Sequence, residues 1–470
     1  MGSSDNDWRG QVFEVRLGQP GHGGFCVARH EGRVLFVRHG LPEELVRAVV
    51  TEDRGSFCRA DAVEILEASA DRVPATCPVS GPGGAGCCDF SFATPQAQRA
   101  LKASVVAEQL RRLAGWEPEF VVEQIPAIPL GVHRGTPAAH GARAGVPGRV
   151  GGVATKLPGT PGAPVPSAAV PADGQSGWRS RMRLVVDAEG RAGVHGYRST
   201  EVITDLRCPQ PMAGAMDGIA ESKWTPGADL VVAVDGDGIR HLVELAPVQQ
   251  ERDGRRGAGG RRSTSARRAA AAGPRAETVL DGTGRTVQYV GDRRWELSAT
   301  GFWQPHYGAA QRYSDLVAEW SDAAPGALAW DLYCGVGVFA ARLAEQVGPT
   351  GMVHGVESAR TAVTEGTAAL RDLPTVELTA ERVERWITEQ PSTAPDVVVL
   401  DPPRAGAGKE VITALVERTP GRIVHIGCDP ASFARDVSLY RAAGYEPSAL
   451  RVFDAFPGTH HVECVTVLER

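Results

Sequence analysis

The sequence lacks any long hydrophobic run. No uninterrupted apolar span reaches the roughly 18 residues of a membrane-crossing helix, so no membrane partner is expected. It also lacks the basic and then apolar opening of a secretory leader, since the first ten residues read MGSSDNDWRG. A cytoplasmic protein is expected, with its nine cysteines reduced. Catalysis, metal ligation or burial then fit those cysteines better than disulfides. Nor is there an excess of positive charge: 50 Lys and Arg face 56 Asp and Glu, a net charge of −6. That counts mildly against nucleic acid as a partner without excluding it, because binding needs only a local basic face. Two local clusters exist, WRSRMR at 178–183 and GRRGAGGRRSTSARR at 254–268. The second reads as solvated rather than as a dedicated RNA tail.

What is present suffices for several cores. With 470 residues and a hydrophobic share of 42%, two or three domains are expected. Residues 8–68 are rich in strand patterns. In FCVARHEGRVLFVRH (25–39), His30, Glu31, Gly32 and Arg33 form a turn between two apolar runs. A small closed β-barrel is expected over 1–70. Helical spacing follows at 95–116 and ends near a glycine. Hairpin patterns return at 182–203 and 228–245, which makes 71–299 a mostly β domain. Two stretches within it, near 135–174 and 250–276, hold too few large apolar residues to join a core and are expected to be disordered insertions.

From residue 300 to 470 strands and helices alternate, the pattern of a doubly wound α/β sheet. GALAWDLYCGVGVFAARLAEQVG reads as strand, glycine turn and helix, and GMVHGVE as the next strand. Without side chains at Gly335 and Gly337 a cofactor can lie against the backbone. Glu357 then falls at the distance along the chain expected of a ribose-binding carboxylate. The run from Gly335 to Ala340 also fits a dinucleotide turn, so an NAD-dependent oxidoreductase remains open, as does a purely structural turn. DVVVLDPPR places Asp401 at the end of a buried strand, with two prolines stiffening the exit. HIGCDPASF places Cys428 at the end of the following strand, and HVECVTVLE opens the last strand near Glu463. One rim of the sheet thus collects a glycine turn, three carboxylates and a cysteine. A lone cysteine there would be packing, but this company makes it a candidate nucleophile.

In this order, DLYCGVG, GVE, DPPRAG, CDP and DAFPGTHHVE resemble the uracil-C5 RNA methyltransferase family, which uses S-adenosylmethionine. SATGFWQPH resembles the family's Phe-x-Gln segment, residues 8–68 its OB-like TRAM barrel, and WRSRMR with HGYRS and a later Cys-Pro its central β-region. The resemblance implies a Rossmann-like class I methyltransferase domain over 300–470. It assigns the nucleophile to Cys428 and the base to Glu463, and S-adenosylmethionine contacts to Gln304, Tyr333, Glu357 and Asp401 beside Gly335 and Gly337. The implied reaction gives 5-methyluridine in tRNA or large-subunit rRNA, and a monomer is expected. Uracil C5 is a weak nucleophile. Thiolate addition at C6 makes it reactive, and a base must then remove the C5 proton.

Three departures stand out. Val338 replaces a usual Asn after the glycine turn, and Gly427 precedes the nucleophile where Ser is common. Many members also hold a [4Fe–4S] cluster. In CPVSGPGGAGCCDF, Cys77 and Cys88, with the later Cys208, match three ligand positions. Ala85 stands at the fourth and Cys87 replaces a glycine. Adjacent cysteines rarely both bind one compact cluster, so a lost or unstable cluster is expected over one rebuilt through Cys87. A catalytically silent RNA-binding homologue is the remaining alternative, and an intact Cys428 and Glu463 argue against it.

Overall fold

The computed structural model describes residues 7–126, 174–248, 275–390 and 394–470. Both expected insertions lie outside these residues except for their last one or two positions, and so does the 254–268 arginine run.

The N-terminal strands are β1 (Val12–Arg16), β2 (Pro20–Gly21), β3 (Phe25–His30), β4 (Arg33–Arg38), β5 (Leu45–Asp53) and β6 (Phe57–Glu67), in the sheet order β1-β5-β6-β4-β3-β2. β1 and β2 are two halves of one bent segment. Its first half pairs with β5 and its second with β3, so the sheet's two ends are joined by only three residues and the barrel closes. Alternating residues such as Val15, Leu35, Val37, Val46 and Ala48 fill the interior. The 25–39 hairpin forms as read, with Glu31 and Gly32 both at positive φ in its turn.

Helix α1 (Pro95–Gln109) starts where Thr94 accepts a hydrogen bond from the Ala97 amide and Pro95 takes the first turn. Its continuation ends at Gly115, in the left-handed region. A short strand, β7 (Val122–Gln124), follows. Both elements fall within the span read as the central β domain, yet they pack on the C-terminal sheet. β7 pairs with that sheet's edge, and Val106, Leu110 and Val122 share a core with Phe433, Val437 and Cys464. The middle of the chain supplies β8 (Arg181–Val186), β9 (Ala192–His195), β10 (Val202–Ile203), β11 (Asp229–Val234), β12 (Arg240–Leu245) and β13 (Glu277–Asp281) as one antiparallel sheet. A hairpin, β14 (Arg285–Val290) with β15 (Arg293–Ser298), forms a separate two-stranded sheet.

The C-terminal part runs α2 (Ala309–Ser321), β16 (Leu328–Leu332), α3 (Val338–Val347), β17 (Met352–Glu357), α4 (Arg360–Ala369), β18 (Val376–Ala380), α5 (Val383–Glu389), β19 (Val397–Leu400), α6 (Gly408–Val416), β20 (Arg422–Gly427), α7 (Pro430–Ala442), β21 (Glu446–Asp454) and β22 (Glu463–Glu469). The sheet order is β18-β17-β16-β19-β20-β22-β21-β7. β16 to β20 are parallel, and β22 is antiparallel to both its neighbours. β19 is buried along its whole length, as a strand covered by helices on both faces must be. The order turns back between β16 and β19, and a crevice opens at the carboxyl ends of such strands.

Candidate active site

Tyr333, Glu357, Asp401 and Cys428 stand at or just past the carboxyl ends of β16, β17, β19 and β20. Glu463 joins them from the opposite direction. Gly427 pairs with Cys464 across β20 and β22, so the next position along each strand sets Cys428 against Glu463. Sequence spacing alone placed each residue at a strand end. The antiparallel return of β22 is what brings the base candidate beside the thiol.

The glycine turn is tightly specified. Tyr333, Gly335 and Gly337 all have positive φ, at 63°, 54° and 77°. A side chain at Gly335 would meet nothing within 4 Å, so this backbone lies open to a ligand. Gly337 is different: a Cβ there would come within 2.7 Å of Leu370, so packing rather than a cofactor requires this glycine. Beneath the turn, buried Asp331 accepts from the Ala340 amide at 2.8 Å and holds the first turn of α3. Burial pushes its carboxyl up to about 8. One oxygen of Glu357 accepts from the Ala359 amide at 2.7 Å, which fixes the carboxylate at the rim. Tyr333 packs against the apolar cluster that includes Trp330 and Tyr440. Val338 is partly buried against the main core and offers the rim no polar atom. The open Gly335 backbone and the fixed Glu357 fit a nucleoside-bearing cofactor.

Gln304 sits in the half-buried loop between β15 and α2, next to Trp303, which packs into the same core as Val336 of the glycine turn. This loop explains the first arginine cluster. Arg181 donates to the Gly301 carbonyl, Ser180 to the Pro305 carbonyl at 3.1 Å, and Trp178 stacks on His306. The WRSRMR segment therefore turns much of its side-chain surface inward to brace the Gln304 loop. Only Arg183 of its three arginines is exposed, and it pairs with Asp229 at 2.6 Å.

Electrostatics at the rim hold the thiol in reserve. Burial pushes Cys428 up to about 12, Glu463 and Asp401 add to the rise, and Arg404 opposes it. Burial likewise raises Glu463 well above its ordinary value, with Asp401 adding to the rise. Asp401 is itself pushed up to about 7 by burial. Arg404 of the DPPR segment is thus the cation that favours ionisation of both reacting groups. A side chain at Gly427 would reach within 2.8 Å of the Phe433 ring, which accounts for the glycine before the nucleophile.

Cys428 opens onto a cavity of about 230 Å³ shared with Lys102, Arg404, His460 and His461. Burial, with His460 and Arg404 close by, pulls His461 down to about 2, so this ring is neutral. His460 lies 2.5 Å from Asp89. Lys102 and Asp89 went unassigned in the sequence. The available signal for Lys102 was a lysine on the apolar face of α1, beside Leu101, Val105 and Val106. The two histidines lay inside a quoted motif but had no role.

The remaining site expectation concerns the cysteines. The thiols of Cys77, Cys88 and Cys208, and of Cys87 and Cys88, perturb one another's ionisation, so the fold brings the four near each other. Among the described residues, no three His, Cys, Asp or Glu side chains are arranged to hold a metal ion. Ala85, at the fourth family position, brings no ligand atom, so a four-iron cluster here would need Cys87 beside Cys77, Cys88 and Cys208, and no chemistry is routed through one. Cys334 and Cys464 are buried in the sheet and its helices.

Comparison with known proteins agrees with this architecture. Residues 283–470 match the tRNA (uracil-5-)-methyltransferase family and residues 8–63 the TRAM domain. An uncharacterized RNA methyltransferase of Corynebacterium glutamicum is 35% identical, with 98% of each chain covered. The 23S rRNA (uracil(1939)-C(5))-methyltransferase RlmD of Alkalilimnicola ehrlichii is 31% identical over 98% of this chain and 97% of its own. A solved structure of the Pyrococcus abyssi tRNA (uracil-54, C5)-methyltransferase with S-adenosyl-L-homocysteine shares the fold. Its TM-score is 0.61 at 17% identity, over 97% of this chain and 100% of that one.

Proposed function

We propose, from the premise that this chain belongs to the S-adenosylmethionine-dependent RNA (uracil-C5)-methyltransferase family, that it methylates C5 of a uridine through a covalent bond from Cys428 to C6. The register that sets Cys428 against Glu463 carries this reading. Covalent addition needs a nucleophile and a base on the same small ring, and these two side chains come from adjacent strands of one rim. Bound S-adenosylmethionine supplies the methyl group on a sulfonium. The open backbone at Gly335 and the carboxylates of Glu357 and Asp401 would hold it, with Gln304 and Tyr333 as further contacts.

The protein's part is to move protons and hold geometry. The Cys428 thiol loses its proton to solvent as the uracil enters, aided by Arg404. Its sulfur then bonds to C6, which makes C5 nucleophilic. After methyl transfer, Glu463 takes the proton from C5, and the electrons of that C–H bond re-form the C5–C6 double bond as the sulfur leaves. Burial raises the basicity of Glu463, and a stronger base suits removal of a carbon-bound proton. Access to the ring requires the base to be unstacked from its neighbours.

Large-subunit ribosomal RNA is the favoured substrate, because two relatives named for 23S rRNA are 31% and 28% identical over nearly their full length, against 17% for the tRNA enzyme. Mapping 5-methyluridine in cellular RNA with and without the gene tests this. One ribosomal uridine should lose its methyl group in the deletion strain. Loss at a tRNA position would redirect the assignment, and no loss anywhere would refute the activity.

A further inference from the structure

The barrel meets the rest of the protein beside the nucleophile. In the loop between β2 and β3, His22 Nε2 lies 2.9 Å from Asp429 Oδ2. Asp429 directly follows Cys428, and its other oxygen accepts from the Ser432 amide at 2.9 Å, capping α7. One carboxylate thus fastens both the helix after the nucleophile and the barrel's loop. A second tie runs parallel. Arg38 of the barrel lies 2.6 Å from Asp89, whose other oxygen holds His460 on the segment leading to Glu463.

The loop itself is built for close approach. Gly23 and Gly24 have φ of 107° and 79°, and a Cβ at Gly24 would come within 2.9 Å of the Asp89 side chain. Held in this way, Gly21, His22 and Gly23 line the cavity onto which Cys428 opens. A barrel serving only to tether RNA has no need to contribute to that cavity.

We propose that the barrel completes the active site: its 21–23 loop is a wall of the pocket that receives the target base, and His22 is a positioning residue that steadies the Cys428 turn through Asp429. The pocket's ligand rests on the covalent methylation reading above, whereas the wall rests on geometry alone. The half-exposed His22–Asp429 contact is a weak source of stability, so its role is one of placement.

The test uses full-length protein carrying His22→Ala, with His22→Gln as the conservative variant that still donates to Asp429. Iodoacetamide labelling of Cys428, followed by peptide mass spectrometry without RNA, reports the wall directly. His22→Ala should speed labelling at least about fivefold as access to the thiol opens, with His22→Gln close to the unmodified protein. Methylation of total RNA from cells lacking the gene reports the consequence. In His22→Ala, kcat should fall about 10- to 100-fold through misplacement of the nucleophile. KM and S-adenosylhomocysteine affinity should stay nearly unchanged, and His22→Gln should restore much of the rate. Unchanged labelling overturns the wall, and a defect confined to KM returns the barrel to a tether. If labelling responds but even the unmodified protein methylates no RNA, the wall stands and the covalent methylation reading falls.

Discussion

Lys102 Nζ lies 2.5 Å from Asp454 Oδ1, and neither side chain reaches solvent. The pair joins α1 to the end of β21 across 352 residues of sequence. Lys102 also donates to the Phe456 carbonyl at 3.1 Å, so it holds the segment between Asp454 and Glu463. Removing one partner leaves an uncompensated buried charge. Lys102→Ala is expected to cost about 3–5 kcal/mol, read as a lower urea midpoint. The double change Lys102→Met with Asp454→Leu should recover most of that loss. A fully additive double variant would show that the two charges do not act as a pair.

Glu463→Gln tests the order of steps. Thiol addition and methyl transfer both precede loss of the C5 proton, so a protein lacking only the base should begin the reaction and stall. A Cys428-dependent protein–RNA adduct is expected on denaturing gels, with turnover down at least about 100-fold. RNA containing 5-fluorouridine should trap the unmodified protein in the same way, because fluorine does not leave as a cation. A trapped peptide containing Cys334 or Cys464 would move the nucleophile. No adduct in either experiment would rule out the covalent route.

The charges around Cys428 predict opposite effects of two substitutions. Burial, then Glu463 and Asp401, raise this thiol, and Arg404 lowers it. Asp401→Asn removes a negative neighbour, so the thiolate forms at lower pH and labelling at pH 8 should speed up. Arg404→Gln removes the opposing cation, so labelling should slow. The measurement is the labelling rate against pH for each variant. Equal profiles would mean that solvent screens these charges from the sulfur.

The two glycines of the turn should separate binding from packing. Gly337→Ala forces a side chain against Leu370 at positive φ and is expected to destabilise the fold by at least about 1–2 kcal/mol. Gly335→Ala meets no protein atom, so its cost to folding is confined to backbone strain. It should instead weaken S-adenosylhomocysteine binding about tenfold or more, or some 1.4 kcal/mol. Calorimetry and thermal melting together distinguish the two. Undiminished affinity in Gly335→Ala would place the cofactor away from this backbone.

The sequence by itself determined the features whose physics is local. A glycine turn after an apolar strand, a stiff Asp-Pro-Pro exit and a cysteine at a strand end can each be read from a few neighbouring residues. Those at Gly335, Asp401 and Cys428 stand where the pattern put them. The barrel was legible for the same reason, because alternating apolar positions and a glycine-containing turn specify a hairpin. Only the tertiary structure decided what depends on distant partners. α1 and β7 lie within a stretch that reads as part of a β domain, but their apolar faces are completed by α7 and the C-terminal strands. WRSRMR has the composition of an RNA-binding patch, but Ser180 and Arg181 are hydrogen-bonded to the Gln304 loop, which is distant in sequence. The partners of Lys102, His22 and Asp89 carry no local signal, since a polar or charged side chain in a chain of this composition is solvated unless folding brings a partner to it. Here their partners are Asp454, Asp429 and His460, each hundreds of residues away, and pairing with them is a property of the packed chain alone.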